Sequence, residues 1–398
     1  MAILFLVAFL DIVGFSIIIP IFVYYAMALG ASAQLATMFL ALYPLAMLLA
    51  TPILGKLSDQ YGRKPVLLVC LFGAIGGYMM LGLAGSLWTI AVARIIQGAL
   101  AGNISVVQAC VTDITTEENR TQGMGMIGAA IGLGFVMGPA IGSYLGGDNF
   151  AEANLLLPAI VSAVVGLMAF LLVLFFVPET HSKATRADHA ALPKLSFFAA
   201  IGEMMRRPLL LPLIVCGLLF NVAAGLVEAI FPIWIMERGI ISGPRGMMVI
   251  FLCAGLTLAV VQGKLVGVLA KRWRDQTLVI IGCVLYALGL LLVVWAASMA
   301  SHVGVIAAMS VQAGAMGFII TPLQTMVSRR AGPAERGMVL GVFSSIGTLG
   351  RVIAPMVTGI IYASWHFDAP YFVSVGVVAI LILVIIAWQR RVDASLAT

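Results

Sequence analysis

The sequence predicts an all-α polytopic membrane protein, with twelve transmembrane helices in two pseudo-symmetric six-helix bundles and both termini cytoplasmic. Three observations carry this. Of 398 residues, 62% are hydrophobic and 10% charged, with mean hydropathy +1.13; soluble domains carry about 25% charged residues. The apolar residues fall in long charge-poor runs, and roughly 18 or more such residues are enough to cross a bilayer. The two halves repeat at an offset of about 210 residues, as expected of paired bundles around a common axis.

The spans expected, in order, are 3–28, 33–56, 65–85, 87–113, 121–146, 153–177, 208–237, 245–270, 276–298, 302–328, 336–363 and 370–389. The one long polar segment, Pro178 to Arg207, holds Lys183, Arg186, Lys194, Arg206 and Arg207 with His181 and His189. It divides the chain into an N-terminal bundle (1–177), a cytoplasmic linker (178–207) with an interfacial helix near Leu195 to Met205, and a C-terminal bundle (208–398). Ala2 to Met27 is too long for a cleavable signal peptide and lacks a basic start. It begins almost at Met1, which leaves room for a short native segment ahead of it.

The net charge of +6 is a topology signal. Of 22 Lys and Arg, Arg94 and Arg351 fall in spans, and Arg238 and Arg245 fall in an outer loop. The others lie on one side, which the positive-inside rule makes cytoplasmic. Nucleic acid is therefore not the expected partner. Cys70, Cys110, Cys216, Cys253 and Cys283 lie in apolar runs with no pair at ligand spacing, so neither a disulfide nor a metal site is expected. His181, His189, His302 and His366 map to loops. No phosphate loop or nucleophile–base constellation has believable spacing, so no catalytic residue and no cofactor are expected.

The turn between the second and third spans reads Gly55-Lys56-Leu57-Ser58-Asp59-Gln60-Tyr61-Gly62-Arg63-Lys64. Gly55 and Gly62 permit close backbone approach and positive φ. Asp59 can face a helix N-terminus or an arginine, and Arg63 and Lys64 can hold the turn at the inner surface. A degraded copy follows in the second half: Gly263-Lys264-Leu265 and Lys271-Arg272, with Gly267 in place of Asp59. Other pairs share the offset: Gln97 and Gly102 with Gln312 and Gly317, Pro20 with Pro232, and Gly134, Gly138 and Pro139 with Gly350, Ala354 and Pro355.

Charged groups inside spans are expensive and are functional candidates by default. Asp11 in the first span is a proton-coupling acid or a structural carboxylate bonded to a neighbouring helix. Arg94 in the fourth must find an acceptor or water. Helical rise places the two within ~10 Å of one another in depth, which is the reach of an arginine or a water bridge. Glu228 and Arg351 lie in the outer halves of the seventh and eleventh spans. A pair between them would be a lock, a proton site or a substrate contact. Asp113, at the inner end of the fourth span, can accept from Arg63. In the fifth span Gly132, Gly134, Gly138, Pro139 and Gly142 allow close packing and a bend. The remaining polar groups on the first, fourth, seventh and tenth spans are Ser16, Asn103, Gln108, Asn221, Gln312 and Gln324. Set among Tyr24, Tyr25, Phe220, Trp234, Met236 and Phe318, they suit a mostly apolar cavity for amphipathic molecules.

The Gly55–Lys64 turn resembles the loop 2–3 signature of the major facilitator superfamily. The whole chain resembles its twelve-helix drug:proton antiporters, the tetracycline efflux branch above all. Leu10-Asp11-x2-Gly14-Phe15-x4-Pro20, Arg94-x2-Gln97-Gly98 and Pro178-Glu179-Thr180-His181 fit that branch. Gly134-x3-Gly138-Pro139-x2-Gly142 resembles the fifth-helix signature of exporters that work as antiporters, with Ser143 where the usual last Gly stands. The resemblance makes Arg63 and Asp113 a cytoplasmic latch. It implies a monomeric, proton-driven antiporter in the inner (plasma) membrane, exporting small amphipathic compounds by alternating access. An organic-anion carrier, a lipid-linked carrier or a proton symporter of the same fold is the alternative. The branch places an Asp before the third-helix Tyr, where Gly77 precedes Tyr78 here, and another in the ninth helix, where Ile281 to Tyr286 has none. Both departures weigh against tetracycline as cargo.

Overall fold

The computed structural model describes all residues except 151–153, 181–201, 205, 332–335 and 398, and leaves the side chains of 117, 118, 120, 121, 336, 337 and 393–397 undescribed. Twelve helices are long and apolar enough to cross a bilayer. They are α1 (Ala2–Ala28), α2 (Ala33–Tyr61), α3 (Arg63–Gly82), α4 (Leu87–Ile114), α5 (Gln122–Leu145), α6 (Leu156–Phe176), α7 (Leu211–Glu237), α8 (Pro244–Leu269), α9 (Asp275–Ser298), α10 (His302–Arg330), α11 (Met338–Ser364) and α12 (Ala369–Val392). No strand occurs among the described residues. His181, Lys183, Arg186, His189 and Lys194, with most of the helix expected near Leu195 to Met205, lie outside them.

The chain divides into two compact units. One comprises Met1–Lys194 with Ser242–Leu252, and the other Leu195–Ile241 with Cys253–Thr398. The exchange of Ser242–Leu252 has a visible cause in the first unit. Arg245 N donates to Gly147 O at 2.9 Å, and its guanidinium bonds Asp148 at 2.5 Å and covers the Tyr144 ring.

Two spans that read as continuous are interrupted. α4 consists of Leu87–Leu100 and Asn103–Ile114, separated at Ala101–Gly102. A Cβ on Gly98 would stand 2.2 Å from Tyr43 O, and one on Gly102 3.1 Å from Thr51 Cα. Glycines four residues apart thus bring α4 against the backbone of α2, and the helix breaks at the second of them. In α8 a π turn, Val261–Leu265, carries the degraded motif copy. Extra-residue turns of this kind re-aim the side chains that follow.

Gly62 has φ 107° and ends α2 as α3 begins, so here the positive φ expected of the turn is required. Gly55 is different. It is helical, with no atom within 4 Å of an added Cβ, and so serves no close approach.

The first unit is cored by Leu4, Val7, Leu67, Cys70, Leu71, Val106, Cys110, Ile127 and Val173 from α1, α3, α4, α5 and α6. In the second, Leu226, Ala354 and Ile361 pack α7 on α11, and Leu278 and Phe318 pack α9 on α10.

Candidate functional site

The first unit places two polar constellations on its helices. The first lies at the α2–α3 turn. Arg63, 7% exposed, forms ion pairs with Asp59 at 2.8 Å and Asp113 at 3.2 Å, and donates to Ser58 Oγ at 2.6 Å. Thr180 Oγ1 donates to the same Asp113 oxygen at 3.1 Å. The backbone N–H groups of Arg63 and Lys64 donate to the two carboxylate oxygens of Glu179, at 2.9 and 3.3 Å. A carboxylate on a helix N-terminus satisfies orphan donors and meets the positive end of the helix dipole. Lys64 Nζ bonds Leu174 O at the end of α6. Glu179, Thr180 and Ser58 were not singled out individually in the sequence. Their signal was only the Pro178-Glu179-Thr180 string following the sixth span.

The second constellation is inside the bundle. Asp11, half-buried on α1, meets the side-chain amide of Asn103. Asn103 is 2% exposed and opens the second piece of α4, so the helix break positions it. Ser16 is fully buried. Its hydroxyl lies 2.6 Å from Ile12 O and 3.0 Å from Gly134 O, bridging α1 to α5. The α5 glycines face this stretch. A Cβ on Gly134 would stand 2.7 Å from Ile12, one on Gly138 1.8 Å from Ser16 Oγ, and one on Gly142 2.0 Å from Ile17 O. The stripe thus seats α5 directly on α1 along Phe9 to Ile17, the stretch that contains Asp11. Gly132 meets nothing within 4 Å and belongs to another face.

The direct reach expected between Asp11 and Arg94 is not realised. Arg94, 2% exposed, lies 4.0 Å above the Phe22 ring, and Phe22 is about 16 Å along α1 from Asp11 at 1.5 Å per residue. Its Nη1 makes a long bond to Gln97 Oε1 at 3.4 Å; Nε and Nη2 have no acceptor among the described residues. Tyr43 and Tyr78 fall within electrostatic range of both Asp11 and Arg94, and Tyr43 stacks on Phe15 at 4.2 Å. Neither tyrosine stood out in the sequence as polar, because in apolar runs a tyrosine reads as packing.

The pair expected between Glu228 and Arg351 is not formed among the described residues. Arg351 Nε donates to Asn221 Oδ1 at 3.2 Å, and Asn221 Nδ2 donates to Gly217 O at 2.9 Å. Glu228 is exposed and acts on Tyr286 electrostatically. The reason is steric. A Cβ on Gly347 would lie 2.9 Å from Asn221 Nδ2 and one on Gly350 3.0 Å from Asn221 Cβ. Glycines of α11 therefore seat that helix on Asn221, almost two turns before Glu228. Gln312 Nε2 donates to Tyr286 Oη at 3.1 Å and is buried, whereas Gln108 and Gln324 are exposed. Of the six polar residues expected to line a cavity, Ser16, Asn103 and Gln312 are thus buried among helices of their own unit.

Comparison with known proteins adds an independent line. The family model of the Major Facilitator Superfamily matches residues 4–355 and 265–397. The class D tetracycline resistance protein of Salmonella ordonez is 30% identical over 370 residues, 91% of this chain and 89% of that protein. The class E protein of Escherichia coli is 28% identical, covering 90% and 86%. Among solved structures, the human organic anion transporter MFSD10 superposes with TM-score 0.72 at 22% identity, covering 96% of this chain and 98% of that one. A D-xylose-proton symporter gives TM-score 0.76 at 14% identity, covering 96% of each.

Proposed function

The chain belongs to the Major Facilitator Superfamily, and from that premise we propose that it is a proton-coupled antiporter exporting small amphipathic organic compounds by alternating access. It is a multi-pass membrane transporter and not an enzyme. We place it in the inner (plasma) membrane as a monomer with both termini cytoplasmic, driven by the proton gradient without a cofactor.

One observation carries the reading. Asp11 is a carboxylate inside a span, close to the Asn103 side chain and flanked by Phe9 and Ile12, on which Gly134 of α5 rests. An ionised carboxylate at that depth is costly, and either a proton or a basic cargo group relieves the cost. Two ligands that neutralise one acid exclude each other, and that exclusion is the requirement for antiport. The tetracycline resistance proteins supply the substrate class by analogy. Tetracycline itself fits less well. The branch's third-helix Asp would fall at Gly77, where even a Cβ stands 2.7 Å from Gln97 Cγ.

Substrate-induced pH change in proteoliposomes, across a panel of cations, anions and lipids, tests the proposal. Asp11→Asn is expected to abolish uphill efflux driven by a pH gradient while leaving downhill exchange intact. A variant that still builds a substrate gradient would make Asp11 structural, and Glu228→Gln and Asp113→Asn in the same assay would rank the rival acids.

A second reading, an organic-anion carrier, draws on Arg94, whose Nε and Nη2 are buried donors without an acceptor among the described residues. It expects anions rather than cations to evoke the pH change, and Arg94→Gln to abolish it.

A further inference from the structure

We propose that the α8–α9 turn is a binding site for the headgroup of an anionic glycerophospholipid, formed by Lys264, Lys271, Arg272 and Arg274 with Trp273. The inference rests on the chain spanning a membrane and is independent of the antiport reading.

The two copies of the turn motif have diverged in a definite chemical direction. In the first copy the arginine is consumed internally: Arg63 is buried, bonded to Asp59, Asp113 and Ser58, and the helix start is capped by Glu179. In the second copy Gly267 replaces Asp59. Lys264, Lys271, Arg272 and Arg274 are all exposed, and none makes an ion pair or side-chain hydrogen bond among the described residues. The one carboxylate at the turn, Asp275, is committed to Arg329 at 2.8 Å. Four cations within eleven residues thus lack protein counterions in the described structure.

The setting matches a lipid rather than a soluble anion. Leu256 and Val260 before the π turn and Val268 after it are 54%, 64% and 51% exposed, an apolar surface of a membrane span leading directly to the cations. Trp273, in the middle of the basic run, is 45% exposed. Indole rings with one wet end concentrate at the depth of the headgroups. Acyl chains would lie along α8, and the phosphate would meet the cations where the helix leaves the hydrocarbon. Anionic headgroups attract basic residues near the membrane surface, most strongly where several are clustered.

Quenching of Trp273 by brominated lipid tests this. The full chain is reconstituted in phosphatidylcholine nanodiscs doped with acyl-brominated phosphatidylglycerol or acyl-brominated phosphatidylcholine. The Trp273 signal is isolated by difference from Trp273→Phe. Phosphatidylglycerol is expected to quench at about fivefold lower mole fraction, the preference one basic contact supplies. The combined Lys271→Gln, Arg272→Gln, Arg274→Gln variant is expected to lose that preference. Gly267→Asp returns a carboxylate to the position of Asp59, where a Cβ has no atom within 4 Å, and is expected to reduce the preference without disturbing the fold. Equal quenching by the two lipids in the wild type overturns the proposal. So does an unchanged preference in the triple variant or, should that variant not fold, in Gly267→Asp.

Discussion

Gly142→Ala isolates the α1–α5 seam. The added methyl would stand 2.0 Å from Ile17 O, 2.8 Å from Ile17 C and 3.1 Å from Ile17 Cα, all backbone atoms that no rotamer change can move. To reach an ordinary 3.4 Å contact, α5 must retreat by about 1.4 Å at this level. A retreat of that size carried down the seam opens the 3.0 Å approach of Ser16 Oγ to Gly134 O beyond bonding distance. Overpacking costs about 1–3 kcal/mol and the lost bond about 1 kcal/mol. Alanine's helix propensity returns about 1 kcal/mol. The net expectation is a loss of about 1–3 kcal/mol. Gly132→Ala, with nothing within 4 Å, is the matched control and should gain up to about 1 kcal/mol. Thermal unfolding of both in one detergent should therefore separate them by about 1–4 kcal/mol, with Gly142→Ala also losing efflux in proteoliposomes. If the two melt together, α5 does not rest on the α1 backbone and the reasoning is wrong.

Arg63→Gln should cost about 1–3 kcal/mol, below the figure for a fully buried pair because Asp59 is one-third exposed, and should impair transport. Unaltered stability and rate would leave the turn as a topology signal only. Glu179→Gln should weaken the α3 cap by about 0.5–1 kcal/mol, read as faster amide exchange at Arg63 and Lys64. In double-mutant cycles, Asn221→Ala with Arg351→Gln should show coupling of about 1 kcal/mol, and Glu228→Gln with Arg351→Gln close to additivity. The opposite ranking would restore the Glu228–Arg351 pair. Gly77→Asp should destabilise by about 1–3 kcal/mol and be relieved by Gln97→Ala, which removes the atoms it strikes. Failure of that relief would put the cost elsewhere.

The sequence by itself determined the number of spans, because hydropathy and length are local properties that need no partner. The Arg63–Asp113 contact was legible only as a possibility, from Asp113 standing at the inner end of the fourth span, and the structure forms it at 3.2 Å. Tertiary structure alone decided the partners of charges within spans. Rise per residue gives only a rough depth for a backbone atom, and neither the direction of a long side chain nor its lateral neighbours follow from it. Arg94 and Asp11 looked adjacent in depth, yet Arg94 turns toward Phe22 and Gln97 while Asp11 meets Asn103. Glu228 and Arg351 looked paired, yet the glycines of α11 bring Arg351 to Asn221. The break in α4 was equally hidden. It follows from Gly98 and Gly102 lying against α2, and a glycine reads the same in a sequence whether or not another backbone lies against it. Where a helix carries no side chain, its neighbour's backbone comes closest. Those points of closest approach fixed which polar groups in this protein meet.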